Sequence, residues 1–472
     1  MSFVEDVGDV PPAGDLGRVH FVGVGGAGMS GIARILLARG LPVSGCDAKE
    51  SRALTALRAL GADISIGHDP AHVATADTIV TSSAIRVGNA EIRVARESGV
   101  RVLPRAAMLA SVMIGSRGIA VAGTAGKTTT TSMLAVAMQA CGRDPSYAIG
   151  GDLNEPGSNA HAGTGEFFVA EADESDKSFL LLAPEAAIVT NVEPDHLDNY
   201  GSAEAVHAAF REFVGRIRAG GAIALGADND GSRALASVAA ERGLSVTTFG
   251  LAADAGVRIH DLQLTPSGSR FELVAGGRRL GPLSLVVPGE HNVLNAAGVV
   301  ALGLTLGLPL ADMARGLAGF PGARRRFEPK GEARGVRVYD DYAHHPTKLR
   351  AALAAARHVA AGGRVVAVFQ PHLYSRTRDF AAEFGTALAA ADAVVVMDVY
   401  AAREDPVPGV TGMLVAQAVP LPPEAVTYEP SWSSVPAVVA ALARPGDLVL
   451  TIGAGDVTML GPEILAALEA AG

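Results

Sequence analysis

Two glycine-rich loops, each set between an apolar strand and a helix, constrain this chain more than any other feature. The first is Gly23-Val24-Gly25-Gly26-Ala27-Gly28, which follows Val19-His20-Phe21-Val22 and opens a helical stretch from Gly28 to Ala38 that Gly40 ends. The second is Gly123-Thr124-Ala125-Gly126-Lys127-Thr128, which follows Gly118-Ile119-Ala120-Val121-Ala122. A strand that turns tightly into a helix offers unpaired N–H groups and the positive end of the helix dipole, a local environment suited to phosphate. Two such units call for two open sheets with helices on both faces.

The rest of the chain repeats the alternation. Strands are expected at 78–81, 166–169, 186–190, 336–339, 364–369, 393–397 and 447–452, and a helix at 91–97. Between Thr247 and Leu285 the pattern changes to short strands with Gly-rich turns, which reads as an antiparallel addition. A length of 472 residues fits about three domains. The expected boundaries give a Rossmann-like domain at 1–110, a P-loop-type central ATPase domain with a mostly parallel sheet at 111–322, and a Rossmann-like domain at 323–472. The fold class is α/β.

Composition removes other classes. The net charge of −10 repels a nucleic-acid backbone, and 5% aromatics with one Trp gives little to stack bases on. Cys46 and Cys141 stand alone, without metal-site spacing, and read as reduced thiols. No apolar run reaches the ~18 residues needed to cross a bilayer, and the acidic start with Pro11-Pro12 is not a signal peptide. The expectation is a cytoplasmic protein that binds neither nucleic acid nor membrane, and is a monomer or a weak homodimer.

The first loop fits G-x-G-x-x-G, with Asp47 ending the next strand 19 residues after Gly28. This pattern serves a pyrophosphate beside a ribose and leaves NAD, FAD and a UDP-sugar open. The second loop is a shortened phosphate loop. Its N–H groups cradle phosphate, Lys127 reaches the terminal phosphates, and the Thr128 hydroxyl suits Mg²⁺. Glu171-Ala172-Asp173-Glu174-Ser175-Asp176 follows a strand end and offers hard oxygen ligands, although such a run is commonly just a solvated loop. Asn191 to Asp198 follows another strand end and contains His196. Arg324-Arg325-Arg326-Phe327 lies at the expected boundary to the last domain, where an Arg can act on a phosphate as domains close. Arg376, after the strand ending at Phe369, has the fork geometry to hold a carboxylate.

These motifs, in this order, resemble the Mur ligases, ATP-dependent amide-forming enzymes of peptidoglycan synthesis with three α/β domains. The resemblance spans nearly the whole chain. It rests on Gly25-Gly26-Ala27-Gly28-Met29-Ser30-Gly31, Gly123 to Thr129, the acidic stretch, Gly289-Glu290-His291-Asn292, Arg325-Arg326-Phe327, Asp340 to Pro346 and Phe369 to Arg376. They point to the member that acts first, on UDP-N-acetylmuramate and L-alanine. The resemblance implies ATP contacts at Gly123, Thr124, Ala125, Gly126, Lys127, Thr128, Thr129, Asn292, Asn295, Arg326 and Asp341. It implies two Mg²⁺ ions, with Mn²⁺ able to substitute, on Thr128, Glu171 and His196. It assigns the UDP-sugar to Gly25, Gly26, Ala27, Gly28, Met29, Ser30, Asp47, His68, Ser82, Ser83 and Arg105. The amino acid falls to Tyr342, His344, His372 and Arg376. Lys127, Glu171, His196, Arg326 and His344 are the expected catalytic set.

Two positions depart from that pattern: Ala125 stands where the first ligase usually has His, and Leu373 where many relatives have a basic residue. No Lys follows His196 closely, as it does in the later ligases. Three alternatives stay open: a recycling ligase that joins a tripeptide to the same UDP-sugar, an NAD(P)-dependent oxidoreductase resting on the first loop and Asp47, and an inactive nucleotide-binding protein.

Overall fold

Strands buried on both faces read as continuous apolar runs rather than alternating ones, and that is how the central strands of this chain are written. Val19–Val22, Ala186–Val189 and Val365–Phe369 are buried at every position. The structure is a computed structural model and describes residues 7, 9–82, 85, 88–151, 159–402 and 404–470. It contains three sheets, mostly parallel, within an α/β architecture. The chain divides into two compact units. The first comprises Met1–His260, Glu272–Leu283 and Leu294–Phe320, and the second Asp261–Phe271, Ser284–Val293 and Pro321–Gly472.

The first sheet has five parallel strands in the order Asp63–Ile66, Val43–Asp47, Val19–Val22, Thr78–Thr81, Arg101–Pro104. The chain order reverses at Val19–Val22, and the first glycine loop leaves that strand. This is the switch point where ligands gather in an open α/β sheet. The second sheet places Arg117–Ala122 between Ala186–Val189 and Phe167–Glu171, all parallel. Its order runs outward on one side through Ala222–Gly226 and Ser245–Gly250 to the three strands Val257–Thr265, Gly268–Ala275 and Arg278–Leu285, in the region where short strands were expected. The two sheets of the first unit share one continuous apolar core, from Phe21 and Leu36 to Phe168 and Phe210.

The third sheet is parallel except for its edge pair, Glu328–Ala333 against Val336–Asp341. The edge strand has no sequence signature: Pro329, Lys330, Gly331 and Glu332 break any alternation, and the register shifts between Pro329 and Gly331. Such residues are tolerated at a sheet edge. One core fills each face of this sheet, around Leu353 and Phe369 on one side and Val338 and Ile464 on the other.

Candidate active site

The first glycine loop is held by Asp47, whose carboxylate accepts the Gly25 N–H at 2.8 Å. Asp47 ends the strand that pairs directly with Val19–Val22, so the contact follows from strand order. Arg105 begins the helix after the fifth strand and lies over Gly28, where an added Cβ would come within 3.0 Å of its side chain. Met29 and Ser30 are buried in the helix Ala27–Ala38. The structure thus brings Gly25, Gly26, Ala27, Gly28, Asp47 and Arg105 together. Ser82 follows the strand Thr78–Thr81, while Ser83 lies outside the described residues. His68 is turned to another set of partners. Its Nδ1 lies 2.9 Å from Glu91 Oε2 and 3.2 Å from Cys46 Sγ.

The second loop is stitched to the segment after Ala186–Val189. Thr124 N–H donates to the Asn191 carbonyl at 3.1 Å, Ala125 N–H to Asn191 Oδ1 at 2.8 Å, and the Thr190 hydroxyl to the Ala125 carbonyl at 2.6 Å. Gly126, at φ 87°, caps the helix Lys127–Ala140 in a left-handed conformation that favours glycine. A Cβ there would stand 2.6 Å from Asn295 Oδ1, so Asn295 reaches the loop. Asn292, three residues earlier, donates instead to the Pro288 carbonyl at 2.7 Å.

Lys127 Nζ lies 2.9 Å from the Gly123 carbonyl and 2.5 Å from Glu174 Oε2. Burial alone would push its ammonium pKa down; the carboxylates of Glu174, Asp173 and Glu171 outweigh that and raise it. Lys127 therefore stays charged. The Thr128 hydroxyl donates to Glu171 Oε1 at 3.0 Å, and Gly150 N–H donates to Glu171 Oε2 at 2.7 Å. His196, left-handed at φ 54°, sets Nε2 3.6 Å from Asp195 and 3.8 Å from Glu174. Phosphate loop, acidic stretch and His196 form one cluster at the strand ends of the second sheet. Thr128 and Glu171 offer adjacent hard oxygens, the donor type that Mg²⁺ takes.

In the second unit, Arg325 and Arg326 both lie over the Tyr342 ring, Arg325 at 4.8 Å from its centre. Arg325 donates to the carbonyls of Gly453 and Gly455 at 2.7 and 2.9 Å, which fixes the turn at 453–456. The Arg326 guanidinium stands 5.0 Å from the Tyr342 ring centre. From there a row of rings continues: Tyr342 to His344 at 5.1 Å, His344 to His372 at 5.9 Å, and His372 stacked on Tyr400 at 5.9 Å. His344 Nδ1 lies 2.9 Å from the Tyr342 carbonyl, which fixes Nδ1–H as the donor and leaves Nε2 the basic nitrogen. Arg376 is buried on the helix Tyr374–Leu388. Asp341 accepts the N–H groups of Phe327 and Ala343, each at 2.8 Å, so its carboxylate is committed to its own chain.

Comparison with known proteins bears on all three sheets. The model of the Mur ligase family, catalytic domain, matches residues 18–117, that of the Mur ligase middle domain 121–303, and that of the glutamate ligase domain 325–455. The UDP-N-acetylmuramate–L-alanine ligase of Acidothermus cellulolyticus is 60% identical, over 97% of this chain and 96% of its own. The chain belongs to the Mur ligase family. A second ligase of the same name, from Kineococcus radiotolerans, is 59% identical over 95% of this chain and 96% of its own. Among solved structures, MurC of Thermotoga maritima is 28% identical with a TM-score of 0.81, covering 96% of this chain and 100% of that one. The murein peptide ligase of Psychrobacter arcticus is 24% identical with a TM-score of 0.68, covering 96% of this chain and 98% of that one, a likeness of fold.

As a Mur ligase the chain is an ATP-dependent, amide-bond-forming enzyme, and the oxidoreductase and inactive readings fall away. The sequence reading missed Glu174 and Tyr400. Glu174 was hidden among four acids in six residues, and only the fold shows which one faces Lys127. Tyr400 lies far from any motif and reaches His372 through a bridge between their segments.

Proposed function

We propose that this chain joins L-alanine to the lactyl carboxylate of UDP-N-acetylmuramate, consuming ATP, an early step of peptidoglycan synthesis in the cytoplasm. The observation that carries the reading is the 60% identity, over nearly the full length of both chains, to a ligase of that name. The tripeptide-joining alternative has more distant matches behind it, 24% and 27% identical. Among the described residues no helix is long and apolar enough to cross a membrane.

The lactyl carboxylate attacks the γ-phosphoryl group of ATP, giving an acyl phosphate and ADP. The amine of L-alanine then attacks the acyl carbon, and phosphate leaves. Two anions must approach each other in the first step, so positive charge at the phosphate loop does most of the work. Lys127, kept charged by its carboxylate neighbours, lies on the transferring group, and the N–H groups of residues 126–128, at the start of the helix, hold the phosphates. Thr128 and Glu171 would hold one Mg²⁺ and His196 would contribute to a second; ions bound there would neutralise charge between phosphate and carboxylate. The family resemblance gives Arg326 the γ-phosphate, and Arg376 and His372 the amino acid. His344 Nε2 takes the proton from the alanine ammonium. Gly25 to Ser30, Asp47 and Arg105 hold the UDP-sugar.

Phosphate release from ATP with UDP-N-acetylmuramate tests the reading, with L-Ala, Gly, L-Ser and a tripeptide as acceptors in parallel. L-Ala is the best acceptor; a clear preference for tripeptide would overturn the reading.

A further inference from the structure

The first sheet carries a second constellation beside the first glycine loop, whose Gly23 and Val24 N–H groups donate to the Cys46 carbonyl. His20 from Val19–Val22, Cys46 from Val43–Asp47, His72 from the short helix Pro70–Thr75 and Glu91 from Ala90–Glu97 converge beneath the strand ends. Each can offer one nitrogen, sulfur or oxygen atom, and these four atoms all lie within 4.8 Å of one another. His72 Nδ1 is 2.7 Å from Glu91 Oε1, Cys46 Sγ 3.2 Å from the same oxygen, and His20 Nε2 3.6 Å from it. The Glu91 carboxylate is fully buried, and so is Cys46.

His20 is the informative member. It is 2% exposed, and its Nδ1 lies 2.9 Å from the Ser44 hydroxyl. Its Nε2 is buried, makes no hydrogen bond and faces the other three groups. An imidazole whose outer nitrogen is anchored and whose inner nitrogen faces a carboxylate just beyond hydrogen-bond distance has the orientation of a metal-bound histidine. Four ligands at 2.0–2.3 Å from a tetrahedral centre sit roughly 3.3–3.7 Å apart, so the groups need to move by less than about 1 Å to close around an ion.

We propose that His20, Cys46, His72 and Glu91 form a site for a zinc-class divalent ion, separate from the magnesium chemistry of the phosphate loop. His68 binds the second oxygen of Glu91 and orients it. Binding takes the thiolate of Cys46 and releases its proton to solvent; no electron is transferred. Two imidazoles, a thiolate and a carboxylate are a borderline-soft set that selects zinc over magnesium or calcium. The ion would also tie Cys46 to the neighbouring Asp47, which holds the first glycine loop. Without an ion, the cluster needs only a proton shared between Glu91 and the imidazoles. The two occupants differ in stoichiometry and spectrum.

The test uses the full-length protein, stripped with chelator and titrated with Zn²⁺ and, separately, Co²⁺. The expected result is about one tightly bound ion per chain, with a thiolate-to-cobalt charge-transfer band in the near ultraviolet. Cys46→Ser abolishes that band, and His72→Gln weakens Zn²⁺ binding by at least about tenfold. Lys127→Ala leaves both signals unchanged, which separates the site from the ATP pocket. Wild-type protein that binds no Zn²⁺ in the presence of excess Mg²⁺, or binds Co²⁺ without the sulfur band, overturns the proposal. The wild-type titration decides the matter even if a variant fails to fold.

Discussion

At the scale of single residues, the phosphate loop separates backbone work from side-chain work. Ala125 stands where this branch usually carries His, yet both its backbone groups are bonded, to Asn191 and to Thr190. The loop shape therefore does not depend on the side chain at 125. Lys127 is the opposite case: its ammonium lies between Gly123 and Glu174, and it is the charge proposed to meet the transferring phosphoryl group. Lys127→Ala is expected to lower ATP-dependent phosphate release by about 10²–10³-fold or more, the scale of losing one preorganised charge in a dry site. Ala125→His is expected to stay within a few-fold of the wild type, by about 1 kcal/mol or less in barrier. Near-normal turnover in Lys127→Ala would remove the phosphate-loop assignment.

At the scale of elements, Asp341 fastens the turn after Arg326 to the end of the strand Val336–Asp341. Burial pushes its carboxyl up to about 6 from the ordinary 3.8, against Arg326 and the two N–H groups, which pull it down. The folded chain thus holds this proton more tightly than the unfolded chain. Its contribution to stability is complete below pH 3.8 and is lost as pH rises through about 6. Asp341→Asn keeps one acceptor and loses the other, at a cost of about 1–2 kcal/mol at neutral pH. Because the amide does not titrate, the deficit should be larger at pH 5 than at pH 7 in denaturant melts; an equal deficit at both would contradict the raised carboxyl. Legibility also divides by element. The glycine loops and their strands could be read from the sequence because glycine spacing and apolar runs are local signals. The edge strand Glu328–Ala333 could not, since its pairing comes from its neighbour rather than from its own residues. Asn292 and Asn295 looked equivalent in sequence and share a helix face; only the fold shows that Asn295 is the one against Gly126. The cluster at Glu91 had no signature because strand order, not spacing, assembles it.

At the scale of the whole chain, the first two sheets act as one body. Asn159 Nδ2 donates to the Ala27 carbonyl at 2.6 Å, and Arg39 to that of Val112 at 2.7 Å. At this seam a Cβ on Gly31 would meet Ala160 at 3.0 Å. Gly31→Val is therefore expected to cost about 1–3 kcal/mol by overpacking. It should raise the KM for the UDP-sugar more than that for ATP, since the helix Ala27–Ala38 carries the first loop. Thermal melts and initial rates check this; equal KM changes would mean that the seam does not position that loop. The acidic net charge gives the seam and the sites on it no help in attracting anions. Lys127 is instead paired locally, with Glu174. If a phosphate meets Lys127 as proposed, its entry exchanges one anion for another, and its departure reverses the exchange. On that reading the carboxylate that holds the lysine in place would also compete for it as the nucleotide leaves.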